Sequence, residues 1–197
     1  MNRTQIINHF IRHREYRSYL EIGVGYGLWN FPHVQCESKQ GVDPGVRAEG
    51  ILQMGSDAFF ASDSKTFDLI FIDGLHEDWQ VDRDIQNSLQ RLNDGGVVIL
   101  HDCLPPDEWH QRPGAAFRPG EPWNGTVWKS ALRYFAKSPF RCYVVDCDWG
   151  CGVIDTRGAR DRGQLELPPE LEYERDFIRL KEFAVNEAEF LELSLKV

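Results

Sequence analysis

Apolar residues along this chain fall into two patterns. The first recurs every three or four positions: within 4–14, Ile6, Ile7, Phe10 and Ile11 share one face of an amphipathic helix. The second is continuous, in YLEIGVGYG from Tyr19, FDLIFID at 67–73 and GVVILHD at 96–102. Runs this uniformly apolar suit strands buried on both faces, as in a parallel sheet covered by helices. Weaker strands are expected at KQGVD (39–43) and at 51–54. Helical spacing covers roughly 78–92, 125–137 and 171–192, and Asn93-Asp94-Gly95-Gly96 offers the left-handed residues a helix exit needs. RCYVVDCDWGCGVI (141–154) reads as two strands around Asp148-Trp149-Gly150, and 156–170 as a loop. Alternating strands and helices predict one doubly wound α/β domain over 1–197. Its expected sheet is mostly parallel and seven-stranded, with helices on both faces and an antiparallel edge hairpin. Residues 104–124 break the pattern, with five prolines, two tryptophans and no period. A loop that long in a compact domain is usually a lid or a binding wall.

Composition narrows the function classes. A length of 197 residues fits one domain of the usual ~100–200. No apolar run approaches the ~18 residues of a membrane span, and the first twenty residues lack a signal peptide's apolar core. A cytoplasmic protein without membrane partners is therefore expected. The net charge of -9 argues against gripping nucleic acid by its phosphates. Two small basic clusters, Arg12-His13-Arg14 with Arg17, and Arg157 with Arg160 and Arg162, are expected on solvated surface. The five cysteines include no CxxC pair, so free thiols are expected rather than a disulfide framework or zinc knuckle.

Candidate chemistry gathers at strand ends. Gly23, Gly25 and Gly27 follow the first strand directly, where missing Cβ atoms let backbone turn sharply and approach a ligand. Glu21 precedes them; its carboxylate would repel a pyrophosphate but suit a ligand with a cationic amino-acid end. Asp43 closes the second strand, about twenty residues beyond the first glycine, a position suited to ribose hydroxyls. Asp73 and Asp102 close the fourth and fifth strands, which would bring them together if those strands are neighbours ~4.8 Å apart. Carboxylates so close require a cation such as Mg2+ or a hydrogen-bonded network. His76, near a helix start, is expected to stay neutral under the helix dipole and so to accept a proton. Trp109, His110 and Trp123 could wall an acceptor, Trp128 is expected to pack, and Asn124 to cap the following helix.

These segments together resemble the class I S-adenosylmethionine-dependent methyltransferases, in the family that includes macrolide-sugar O-methyltransferases. The resemblance runs over roughly 17–154 through YLEIGVGYG, GVDP, GSDAFF, FDLIFIDGLHEDWQVDRDI, LNDGGVVILHDC and WNGTVWKSALRYF. The glycines are spaced G-x-G-x-G after an acidic residue, where a nicotinamide site expects G-x-G-x-x-G. The resemblance implies that Glu21 and the glycines hold the methionine portion, Asp43 the ribose, and Asp57 with Ser56 the adenine. Ser56 or Asp57 could equally cap a helix beginning at Ala58. It further implies that Asp73 and Asp102 hold Mg2+ and that His76 is the base for methylating a small hydroxylated, sugar-like acceptor. Cys103 departs from the acidic residue or asparagine common after the second aspartate, leaving His101, another side chain or waters to complete any ligand set. A protein that binds the cofactor without transferring a methyl group, and a nicotinamide oxidoreductase, stand as alternatives. Oligomeric state is open, with a homodimer through Phe177, Leu180, Phe183 and Phe190 as one option.

Overall fold

The computed structural model describes residues 1–62 and 64–196. Helix α1 (Arg3–Arg14) opens on an Asn2–Gln5 capping box and buries the four apolar residues its period predicts. The strands are β1 (Ser18–Ile22), β2 (Ser38–Val42), β3 (Ile51–Leu52), β4 (Phe67–Ile72), β5 (Leu92–Leu100), β6 (Phe140–Val145), β7 (Cys151–Ala159) and β8 (Ala184–Val185). Between and after them run α2 (Ser56–Ser62), α3 (Asp78–Gln90), α4 (Val127–Lys137), α5 (Tyr173–Lys181) and α6 (Glu187–Ser194).

Among the described residues, eight strands join one sheet in the order β3-β2-β1-β4-β5-β7-β6-β8. Strands β1 to β5 are parallel, β7 is antiparallel to β5 and β6, and β8 runs parallel to β6. The predicted hairpin therefore exists, but a two-residue eighth strand covers its outer side. Two apolar clusters coat the two faces. Leu20, Ile22, Ile70 and Ile72 point toward α2 to α5, and Tyr19, Leu69 and Phe71 toward α1 and α6. Successive strand residues alternate between faces, which is why both clusters draw on the same strands.

Three expected boundaries move. Helix α3 ends at Gln90, and residues 93–96 form an irregular stretch inside β5, with Gly95 at φ +73. The register jumps there, from Phe67 opposite Leu92 to Leu69 opposite Val97. The left-handed glycine thus serves a strand bulge. Strand β7 reaches Ala159, because Thr156 Oγ1 donates to the Gly96 carbonyl (2.7 Å) and Ala159 pairs with Phe140. The expected helix over 171–192 is two helices, interrupted where Ala184 and Val185 pair with β6 and restarted by an Asn186–Glu189 capping box. Phe177, Leu180, Phe183 and Phe190 all pack inside their own chain.

Candidate functional site

The sheet reverses direction of growth between β1 and β4, and ligands in open α/β sheets bind beyond the carboxyl ends of strands at such a switch point. Two cavities open there. The larger, about 460 Å3, lies over Gly23, Gly25, Asp43, Ser56, Asp57, Asp73, Gly74 and Gln80. The smaller, about 320 Å3, shares Gly23, Gly25 and Asp73 and adds Arg3, Trp29, His76, His101, Asp102, Trp123 and Trp149. Gly23 adopts φ +83, and a Cβ there would collide with the Asp73 carbonyl, so only glycine lets β1 leave the sheet this close to β4.

The larger cavity collects most of the residues expected to bind cofactor. Asp43 accepts the Gly25 N–H on one oxygen (2.9 Å) and the Gly45 (2.7 Å) and Val46 (3.1 Å) N–H groups on the other. The same carboxylate therefore ties the glycine loop to the end of β2. Ser56 and Asp57 lie in the first turn of α2, which starts two residues before the expected Ala58. Gln80 Nε2 donates to Ser56 Oγ (3.1 Å), and Arg83 pairs with Asp57 (2.8 Å). Gly27 lies outside both linings; a Cβ on it would run into the Trp29 ring.

Glu21 is not on a cavity wall. Strand alternation turns it to the α1 side of the sheet, 1% exposed, where Tyr19 Oη (2.6 Å) and Asn30 Nδ2 (2.9 Å) both donate to Oε2. Burial outweighs those bonds and pushes its carboxyl up to about 8. Glu21, expected to hold the methionine portion, thus faces away from both cavities.

The smaller cavity holds the reactive cluster. Ile72 pairs with Ile22 on one side and Leu100 on the other, so Asp73 and His101 emerge side by side next to Gly23. Asp102 follows at φ +61, a left-handed turn that swings its carboxylate back over the sheet end. His76 Nε2 lies 3.3 Å from Asp73 Oδ1 and 3.3 Å from Asp102 Oδ2. Its Nδ1 lies 3.0 Å from the Trp123 carbonyl oxygen, which can only accept, so Nδ1 carries a proton. The indole of Trp123 stacks on the imidazole, centroids 5.0 Å apart.

His101 Nδ1 reaches Asp102 Oδ2 (2.9 Å) and Asp73 Oδ1 (3.3 Å). Arg3, from the first turn of α1, donates through Nη1 to Asp73 Oδ2 (2.9 Å) and through Nε to Asp148 Oδ2 (2.9 Å). Asn124 Nδ2 donates to Asp102 Oδ1 (2.7 Å), so it does not cap α4 as expected; the N-cap position is Thr126.

Charges in this cluster stabilise one another. Burial disfavours the ionised form of Asp73, yet His101 and His76 hold it far below the usual carboxylate range. Burial likewise disfavours imidazolium at both histidines, but Asp73 and Asp102 raise His76 and lift His101 well above the ordinary value. The shift runs opposite to the one expected from the helix start, because two carboxylates lie 3.3 Å from Nε2. Asp73, His76 and Asp102 each offer a donor atom within 4.8 Å of the others, a grouping that could receive an ion. The donor chemistry suits Mg2+ poorly. Asp73 Oδ2 already accepts from Arg3 and Asp102 Oδ1 from Asn124, the other two carboxylate oxygens lie 2.9–3.3 Å from imidazole nitrogens, and Cys103 is fully buried in the core with its thiol near the Leu100 carbonyl.

Among the aromatics, Trp128 is fully buried as expected, and Trp29 (79% exposed) and Trp149 stand at the mouth of the smaller cavity. Trp109 carries Arg112 over its ring at 4.2 Å, and His110 stacks on Trp149 at 5.6 Å, so both help order the 104–124 loop. Arg3, Asp148, Trp29 and Trp149 were absent from the expectation. Only Asp148 and Trp149 carried a signal, as the turn of the anticipated hairpin.

Residues 40–103 match a family described as a methyltransferase domain. No curated protein matches the chain in sequence. Among solved structures, it is similar to the methyltransferase PaMTH1 of Podospora anserina, bound to S-adenosylhomocysteine, at 16% identity, with 80% of this chain and 77% of that one covered and a TM-score of 0.55. It is also similar to the O-methyltransferase TomG of Streptomyces achromogenes, in complex with S-adenosylmethionine, at 17% identity, 78% and 79% coverage and a TM-score of 0.52. MycE, a methyltransferase of the mycinamycin biosynthetic pathway in complex with Mg and S-adenosylhomocysteine, matches at 19% identity and a TM-score of 0.50 over 88% of this chain, which spans 52% of that protein. The chain thus has the class I methyltransferase fold, and it carries a methyltransferase-domain match on the segment from β2 to the end of β5.

Proposed function

We propose that this protein transfers a methyl group from S-adenosylmethionine to a hydroxyl of a small, sugar-like acceptor. The observation that carries the reading is the pair of cavities meeting at Gly23, Gly25 and Asp73, with a histidine–carboxylate cluster in only one of them. The nucleoside and methionine portions would fill the larger, with Asp43 toward the ribose and Ser56 and Asp57 toward the adenine. The sulfonium would lie near Asp73, which borders both spaces and is held ionised. The acceptor would enter between Trp29, Trp123 and Trp149, whose rings suit a ring with apolar faces and polar edges.

In the transfer, an acceptor oxygen attacks the methyl carbon as the carbon–sulfur bond breaks. The bonding pair stays on sulfur, giving the neutral thioether S-adenosylhomocysteine. The hydroxyl proton passes to His76 Nε2 once that nitrogen is unprotonated, while the Nδ1–H bond to the Trp123 carbonyl holds the ring in place. Most of the acceleration would come from alignment of oxygen, carbon and sulfur.

The direct test is calorimetry and thermal shift with S-adenosylmethionine, S-adenosylhomocysteine and NAD(P). Ligand at 100 times its Kd stabilises by about 2.7 kcal/mol. Stabilisation by the first two alone supports the reading, whereas affinity for NAD(P) alone ends it. Release of S-adenosylhomocysteine in the presence of hydroxylated acceptors separates an enzyme from a protein that only binds.

A further inference from the structure

Three carboxylates, Asp73, Asp102 and Asp148, face three basic side chains, Arg3, His76 and His101, within one network at the smaller cavity. Arg3 is its hub. Its backbone N–H (2.8 Å), Nε (2.9 Å) and Nη2 (3.1 Å) all bind Asp148, and Nη1 (2.9 Å) binds Asp73. The guanidinium is three-quarters buried, permanently charged, and lines the cavity itself. Of its five N–H donors, the described residues use three, which leaves two for an oxygen of a bound molecule.

We propose that Arg3 is the resident cation of this site, doing for Asp73 what a divalent ion would otherwise do. It neutralises the carboxylate and offers N–H groups to the acceptor's oxygen. A dication on Asp73 would stand beside a fixed guanidinium and would have to enter between the carboxylate oxygens and the imidazole nitrogens they now contact. Both effects oppose binding. Arg3 contributes charge and orientation and takes no proton, because its guanidinium stays protonated throughout the accessible pH range.

The acceptor-positioning part rests on the proposed methyl transfer, but the exclusion of metal does not, so the test begins with ions alone. Calorimetric titration of the purified, chelator-washed protein with Mg2+, and separately Mn2+, is expected to show no saturable binding. Arg3→Ala, and Arg3→Gln as a variant that keeps one hydrogen-bonding arm, are expected to gain saturable Mn2+ binding that a further Asp73→Asn removes. Circular dichroism selects the folded variants. Saturable binding of either ion to the wild type, lost in Asp73→Asn, would overturn the assignment, as would folded Arg3 variants that still ignore both ions. If methyl transfer is observed, the wild type should keep its rate in excess chelator, and Arg3→Gln should lose at least tenfold and recover part of it with Mn2+. A wild-type rate abolished by chelator would also defeat the proposal. A protein with no transferase activity would leave the ion titration to decide.

Discussion

His76 and Glu21 are both titratable groups moved upward, with opposite consequences. His76 must be unprotonated to act as a base, and its neighbours raise it above 6.5. The rate should therefore climb with pH along a limb centred above the ordinary imidazole value, measurable as kcat/KM against pH. His76→Ala should cost at least ~10²-fold in turnover; near-normal turnover would remove it from the base role. Glu21 has an unfolded value of 4.5 and a native value of about 8. A raised native value gives stability that is complete below the unfolded value and lost as pH rises through the native one. Glu21→Gln keeps an acceptor for Tyr19 and Asn30 without the ionisation, so its melting temperature should exceed the wild type's at alkaline pH. A variant that is less stable there would show that the carboxylate is welcome in that site.

Legibility at this scale followed backbone placement. Asp43, Asp73, Asp102 and His76 sit at ends of apolar strands or just beyond, where the switch-point rule locates ligands, and the structure brings the last three together. Arg3 was invisible because nothing local in a helix's first turn reveals a partner 145 residues away. Glu21 was misplaced because the glycine motif identifies its neighbours while strand alternation, a separate property, decides which way it points. In the two basic clusters Arg12, His13, Arg17, Arg157 and Arg162 are exposed as expected, but one residue of each turns inward. Arg14 is buried against Asp155, and Arg160 donates to the carbonyls of Phe135, Ala136 and Ser138.

Among the elements, the connection from the loop to α4 bears most directly on His76. Gly125 adopts φ +62, and a Cβ on it would collide with the His76 carbonyl, which accepts the Thr126 N–H at 2.9 Å. Thr126 Oγ1 also accepts the Asp78 N–H (2.8 Å), so this short stretch caps α3 and seats the histidine together. Gly125→Ala should cost roughly 1–3 kcal/mol in stability. It should also lower turnover more than it weakens S-adenosylhomocysteine binding, because the larger cavity does not include this stretch. Equal losses in both would count against that separation. Long elements such as α3 and β4 were legible from period and apolarity. The α5–β8–α6 region was not, since a two-residue strand leaves no periodic trace and only the Asn186–Glu189 capping box signals the restart.

For the whole molecule, the Arg14–Asp155 bridge joins α1 to β7, with two 2.7 Å contacts, and Arg14 also donates to the Ser194 carbonyl at the end of α6 (3.0 Å). Its carboxylate is fully buried, so removing that partner strands a guanidinium in the interior. Asp155→Ala should lose about 3–5 kcal/mol by urea unfolding; a loss below ~1 kcal/mol would mean that the surrounding carbonyls satisfy Arg14 alone.

The reach of Arg3 has a temporal side as well. The larger cavity is lined entirely by residues from Ile22 to Gln80, whereas the guanidinium meets Asp148 only after the turn between β6 and β7 has formed. Contacts closing so long a loop form late in folding. A growing chain, or a refolding intermediate, would thus acquire a berth for its small-molecule ligand well before its reactive corner is electrically balanced, and that ligand could act as a template on which the second half of the sheet assembles.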